Sequence, residues 1–312
     1  MGIVAKQSAL NSLALATGLL LGAVNTMYVL PKAFEGVEEE WGVIRVLTAW
    51  GTILAQVVAL GSPSAILRFL PTVEQGSQKE ASMLTTLFVL PAIALSVLGL
   101  TAMTAGGDAL KALDADGGTL LQDRMGAFLF MAAAYLAMLL LKAALIYKMR
   151  TVVVTVIQEV WLKGSYLVLA LLYLGNQLNF PEFFMWFLCS YAAAVFLMVI
   201  EAYRAGVQFQ KPQIKQDAAQ FLGYGMYAVW NEGARIVSKH LDFVMVGALL
   251  GLAAVPRYTF AFFIATVVSM PLRAMSPILH SLTSKAVQAE GPEQCGPELR
   301  QSARVQLTVT AA

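Results

Sequence analysis

Stretches of about twenty mostly apolar residues recur along the chain, and twenty residues is the length a helix needs to cross a hydrocarbon core about 30 Å thick. Eight stand out, at about Ser8–Leu30, Trp41–Leu60, Met83–Thr104, Met125–Tyr147, Thr151–Leu174, Phe183–Tyr203, Phe221–Leu250 and Tyr258–Leu282. Their weight shows in the composition: 58% of the 312 residues are hydrophobic and 13% charged, against about 45–50% and 25% in soluble domains. The pattern predicts an all-α polytopic membrane helical bundle of about eight transmembrane helices.

Several function classes lose their basis at once. Twenty-one basic and nineteen acidic residues leave a net charge of +2, so a clustered basic face for nucleic acid is not expected. Cys189 and Cys295 cannot make a disulfide framework, and His240 and His280 have no Cys or His at ligand spacing, so no metal site is expected. There is no Gly-rich phosphate loop and no G-x-S-x-G elbow. The expectation is a protein that is not an enzyme and holds no cofactor.

Pro31, Pro71, Gly106-Gly107, Gly117-Gly118, Gly175, Pro181 and Pro256 punctuate most span boundaries. Only Lys148, Met149 and Arg150 separate the fourth span from the fifth, which implies a tight hairpin. Lys6 precedes the first apolar run as it would in a signal peptide, but the run is long for that role and lacks a small-x-small cleavage site. A permanent helix is expected. Gly18 with Gly22, and Gly247 with Gly251, have the spacing that lets membrane helices approach closely, which ordinary glycine usage also produces.

Lys and Arg in short loops mark the cytoplasmic side. With the N-terminus inside, that side holds Lys6, Arg68, Lys79, Lys148, Arg150, Arg204, Lys211, Lys215, Lys285, Arg300 and Arg304, eleven in all, against Lys32, Lys111, Arg124 and Arg257 opposite. The opposite loops are acidic, with Glu35, Glu38, Glu39, Glu40, Asp108, Asp114, Asp116 and Asp123. The N-terminus is therefore expected to be cytoplasmic.

Six basic residues remain inside spans, Arg45, Lys142, Lys163, Arg235, Lys239 and Arg273, together with Glu159, Glu232 and Asp242. A charge at the bilayer centre costs at least about 2.5–3.5 kcal/mol, so it needs a cavity, a partner or water. Arg45, Lys142 and Arg273 lie near span ends, where snorkelling to the headgroups accounts for them equally well. Glu159 and Lys163 stand four apart with the acid first, the favourable order for a helical pair, and mutual neutralisation competes with a ligand role. At about 100° per residue, Glu232, Arg235, Lys239 and Asp242 share an arc of about 80°, and Tyr224 joins it. One wet face on a water-filled cavity is expected; the alternative is a segment lying flat at the interface before a shorter span from about Leu241.

The opening Lys-Gln-Ser with Asn11, then Asn25, Leu30-Pro31, Trp41-Gly42, Gly61 and Arg68-Phe69-Leu70-Pro71, resembles the Wzx-type O-antigen flippases. Leu241-Asp242-Phe243-Val244-Met245-Val246-Gly247, Tyr258, and Met270-Pro271-Leu272-Arg273 before Pro277 look like the seventh and eighth helices of these exporters. Their superfamily also contains the multidrug and toxin extrusion antiporters and the lipid II flippases. The resemblance covers nearly the whole chain and rests on motif order and spacing. It implies two six-helix lobes around a central cavity. Residues 1–204 would form the first lobe, 205–220 a cytoplasmic loop, and 221–312 the start of the second lobe. Sliding the chain by 217 residues sets Asn25 on Asp242 and Trp41 on Tyr258, the register that parallel repeats require.

What the resemblance implies is a lipopolysaccharide and polysaccharide biosynthesis transporter of the bacterial inner membrane. It would flip undecaprenyl-diphosphate-linked oligosaccharide by alternating access, with membrane lipid and the polysaccharide polymerase or other assembly proteins as partners. Arg235, Lys239, Lys163, Arg45 and Arg273 are the expected cavity cations, and Glu159, Glu232 and Asp242 the expected ion-coupling or charge-pairing acids. A cation antiporter of the multidrug class and a non-transporting membrane scaffold are the alternatives. Such exporters carry roughly twelve to fourteen helices, so eight spans and a fresh apolar run at Val305–Ala312 suggest a truncated frame; a short polar tail is the plainer reading.

Overall fold

A computed structural model describes residues 2–113, 125–212 and 223–268, and every regular element among them is helical. Among the described residues six helices, against the eight spans expected, are long and apolar enough to cross a membrane: α1 (Ala9–Ala33), α2 (Glu38–Val58), α3 (Gln78–Thr101), α4 (Met125–Tyr147), α5 (Thr151–Leu174) and α6 (Phe180–Arg204). A seventh helix is described from 223 onward and continues through a π segment, Val229–Gly233, into α7 (Ala234–Leu250). Then comes α8 (Val255–Val268). The chain divides into two compact units, Met1–Tyr258 and Thr259–Ala312; of the second, the described residues are the rest of α8. The latter half of the expected eighth span with Arg273, and the run Val305–Ala312, lie outside the described residues.

Local chemistry sets several helix ends. Asn179 and Glu182 form a capping box with Pro181 in the first turn of α6, where a missing N–H costs nothing. Glu38, Glu39 and Glu40 occupy the first turn of α2, the end at which the helix dipole favours anions. The hairpin between α4 and α5 is as tight as its three residues imply: Met149 has φ +59°, and Arg150 N–H donates to the Leu145 carbonyl at 2.8 Å. Gly106 and Gly107 do not end a helix, because the helical backbone of α3 continues to Leu113, with Pro91 inside it.

In the first unit α2 packs on α4 and on α7, α4 on α6, α1 on α5, and α5 on α6. One end is held by aromatics. The Phe34 ring stacks on Tyr173 with centroids 4.8 Å apart and meets Phe183 edge-on at 5.5 Å, while Tyr173 donates its hydroxyl to Glu40 at 2.7 Å. The other end is held by ion pairs, Lys148 to Glu80 at 2.7 Å and Arg150 to Glu201 at 3.6 Å.

The seventh helix runs antiparallel to α2 with almost nothing between the backbones. Gly225 lies against the Leu60 carbonyl and Gly61, Gly247 against Val46, and Gly42 against the Leu252 backbone. Small residues at the crossings permit this approach. Gly247, one of the glycines singled out from spacing, is therefore a contact, whereas Gly251 ends the helix at φ +83°. Gly18 fits α1 onto Glu159 of α5, where a β-carbon would lie 2.7 Å from the Glu159 Cβ.

Candidate functional site

Among the described residues three helices carry a π segment: Asn25–Val29, Val156–Trp161 and Val229–Gly233. Each holds polar residues of the membrane-spanning sequence, namely Asn25, then Gln158 with Glu159, then Asn231 with Glu232. A π turn adds one residue to the coil and recurs at functional sites. It also rotates the flanking faces by about 100° relative to each other. The four-charge stripe with Tyr224 assumed unbroken α geometry. Tyr224 lies ahead of the π segment and instead faces the ring of Phe69 at 5.4 Å, with the Arg68 guanidinium 4.4 Å above it. The Arg68-Phe69 motif thus packs against the first described turn of the seventh helix.

Beyond the π segment the stripe survives. Arg235, Lys239 and Asp242 are uninterrupted α positions within an arc of about 60°, and all three are exposed on the surface of the first unit. The opposite side buries Phe243 and Val244. No break occurs near Leu241, so the helix is one continuous element from 223 to 250. Asp242 accepts a hydrogen bond from the Tyr258 hydroxyl at 2.8 Å, and the Tyr258 ring meets Phe243 edge-on at 5.2 Å.

Phe243 connects this face to the interior. The Arg45 guanidinium of α2 sits over its ring at 4.6 Å, close enough for cation–π attraction. Arg45 also lies within electrostatic reach of three phenols, Tyr135 on α4, Tyr166 on α5 and Tyr191 on α6, and of His240 on α7. The Tyr135 and Tyr191 hydroxyls hydrogen-bond to each other at 3.0 Å. Those of Tyr166 and the indole N–H of Trp41 are buried with no hydrogen-bond partner among the described residues. Arg45 therefore contacts Phe243 and lies within electrostatic reach of polar groups on four other helices.

The other intramembrane charges form a second group. Lys142 Nζ donates to Gln158 Oε1 at 3.0 Å, joining α4 to α5. Lys163 pairs with Glu159 at 2.5 Å one turn apart, with the Lys163 side chain 40% and the Glu159 side chain 28% exposed. Neutralisation, one of the two readings open for this pair, is realised, and Gly18 packs directly on the acid. Glu232 lies in the π segment of the seventh helix, and Arg273 falls outside the described residues.

The tyrosines and the π segments are what sequence reasoning passed over. Aromatics with a polar tip ordinarily collect at the membrane interface. Tyr135 and Tyr191 instead stand near the middle of their helices, and that depth was the available signal.

Chemically the cluster offers a fixed positive charge, phenolic donors and acceptors, and aromatic faces. Arg binds phosphate through charge-assisted hydrogen bonds, and tyrosines present both ring and hydroxyl to a polar ligand. The chain matches no protein-family model, no curated protein and no solved structure.

Proposed function

We propose that the chain belongs to a flippase that moves an undecaprenyl-diphosphate-linked oligosaccharide across the bacterial inner membrane, with the N-terminus in the cytoplasm. The observation that carries this reading is Arg45, set among the phenols of α4, α5 and α6 and beneath Phe243 of α7. An unassisted crossing would strip water from two phosphates and a sugar chain, which is prohibitive without replacement hydrogen bonds. Arg45 would take the diphosphate, and the phenols would meet sugar hydroxyls. Arg235 and Lys239, one turn apart on the exposed face of α7, would guide the anionic headgroup toward it. The polyprenyl tail would remain in lipid.

Charge balance favours an anionic cargo over a drug cation: Arg45, Lys142, Lys163, Arg235 and Lys239 outnumber Glu159, Glu232 and Asp242 among the described intramembrane residues. In this reading the acids position cations or bind a coupling ion, the protein performs no chemistry on its cargo, and the polysaccharide polymerase receives the product.

The test is Arg45→Ala in the native host, with surface polysaccharide read by immunoblot and the protein's membrane level read in parallel. Export should fall at least tenfold at unchanged protein level, about 1.4 kcal/mol or more of lost cargo stabilisation. Arg45→Lys, which keeps the charge but not the bidentate fork, should recover part of it. Undiminished export with Arg45→Ala removes the assignment; loss of drug resistance with polysaccharide intact supports a cation antiporter.

A further inference from the structure

An apolar furrow of about 740 Å³ lies between α3, α4 and α6. Both α3 and α6 pack on α4, and the small side chains of Ala133 and Ala137 on α4 lie among the lining residues. Its only hydroxyls are Ser96, which is satisfied by the Ala92 carbonyl at 2.8 Å, and Tyr203. The furrow asks for hydrocarbon.

The segment after α6 is laid along the first turns of α3 at one end of the furrow. Phe209 meets Phe88 at 5.3 Å, Gln210 N–H donates to Thr85 at 3.0 Å, and Ser82 donates to the Lys211 carbonyl at 3.0 Å. This brings Lys211 beside the furrow's end. Arg204 follows the lining residue Tyr203, and Lys79 precedes Ser82 by one turn. Lys148 and Arg150 at the same end are neutralised by Glu80 and Glu201. Lys79, Arg204 and Lys211 are exposed and make no ion pair among the described residues.

We propose that the furrow holds an acyl chain of an anionic phospholipid from the leaflet facing this end, with its phosphate on Lys79, Arg204 and Lys211. An apolar trough whose mouth carries exposed basic residues matches a lipid with an anionic headgroup, and basic residues near a membrane surface each add to such binding. None of Arg45, Arg235 or Lys239 lines the furrow, so the site stands apart from the flippase reading.

Full-length protein in nanodiscs, carrying photoreactive phosphatidylglycerol with a diazirine in the acyl chain, tests this against the matching phosphatidylcholine. Crosslinks should map to α3, α4 and α6, with phosphatidylglycerol favoured at least about tenfold. Replacing Lys79, Arg204 and Lys211 together by glutamine should bring the two lipids level, and these exposed changes leave the core untouched. Ala137→Trp should lower the label from both lipids. Equal labelling of the wild type, labels elsewhere, or a charge variant that labels like the wild type would overturn the proposal. Displacement of phosphatidylglycerol by equimolar undecaprenyl phosphate would also overturn it, by assigning the furrow to a polyprenyl chain.

Discussion

At Gly225 a single methyl group separates the observed packing from a clash, because a β-carbon there would overlap the Leu60 carbonyl. Gly225→Ala should therefore cost about 1–3 kcal/mol as an overpacked contact, seen as a lower midpoint of thermal unfolding in detergent. Gly126→Ala, where a β-carbon meets nothing within 4 Å, should leave the midpoint unchanged or slightly raised. Charge gives a second prediction at this scale. Glu159→Ala leaves Lys163 in the span without its partner, and an unpaired cation there costs about 2.5–3.5 kcal/mol where it cannot reach water. The double change Glu159→Ala with Lys163→Ala should then be less destabilising than the single one. A double-mutant cycle measures the coupling, and additive losses would mean that the pair contributes nothing.

Helical periodicity made the polar edge of α7 legible, and a π turn limited how far that legibility extended. Arg235, Lys239 and Asp242 share one side because seven residues of unbroken α-helix return nearly to the starting azimuth. Tyr224 does not join them, because the extra residue in Val229–Gly233 carries no mark in the sequence. In a background with Cys189 and Cys295 replaced by alanine, single cysteines at 235, 239 and 242 should react with a membrane-impermeant thiol reagent. Cysteines at 243 and 244, where the native side chains are buried, should resist it. Equal reactivity across all five positions would contradict the wet edge. The same reasoning explains the start of α6, whose capping box is written in Asn179, Pro181 and Glu182, while the continuation of α3 past Gly106-Gly107 to Leu113 is not legible in that dipeptide.

For the whole molecule, charge asymmetry predicts orientation. Turns at Gly76 and Gly206 lie at the end that holds Lys79, Lys148, Arg150, Arg204 and Lys211, and turns at Gly36 and Asn176 lie at the acidic end with Glu35 and Glu40. Reporters inserted at Gly76 or Gly206 should behave as cytoplasmic, and those at Gly36 or Asn176 as external; alkaline phosphatase and green fluorescent protein fusions read the two sides oppositely. The ion pairs at the basic end and the aromatic stack at the acidic end each join helices distant in sequence, so neither set of partners could be named from one span. Packing of the seventh helix along α2 likewise places it in the same compact unit as the first six, Met1–Tyr258.

The sequence by itself determined that the chain is a bundle of long apolar helices, about where most of them end, and which face of α7 is polar; of the eight expected spans, six are long and apolar enough among the described residues. Those properties follow from hydropathy and turn chemistry within a few residues, and the thickness of a bilayer supplies the ruler. Only the tertiary structure decided which intramembrane charges meet. For Arg45 the sequence left a snorkelling and a cavity role equally open; in the fold its guanidinium meets the Phe243 ring and lies within electrostatic reach of phenols and a histidine on other helices, whereas Lys163 found its partner one turn away. A charge's role in a membrane depends on what its neighbours present at the same depth, and depth is matched between helices by packing, which no single segment specifies.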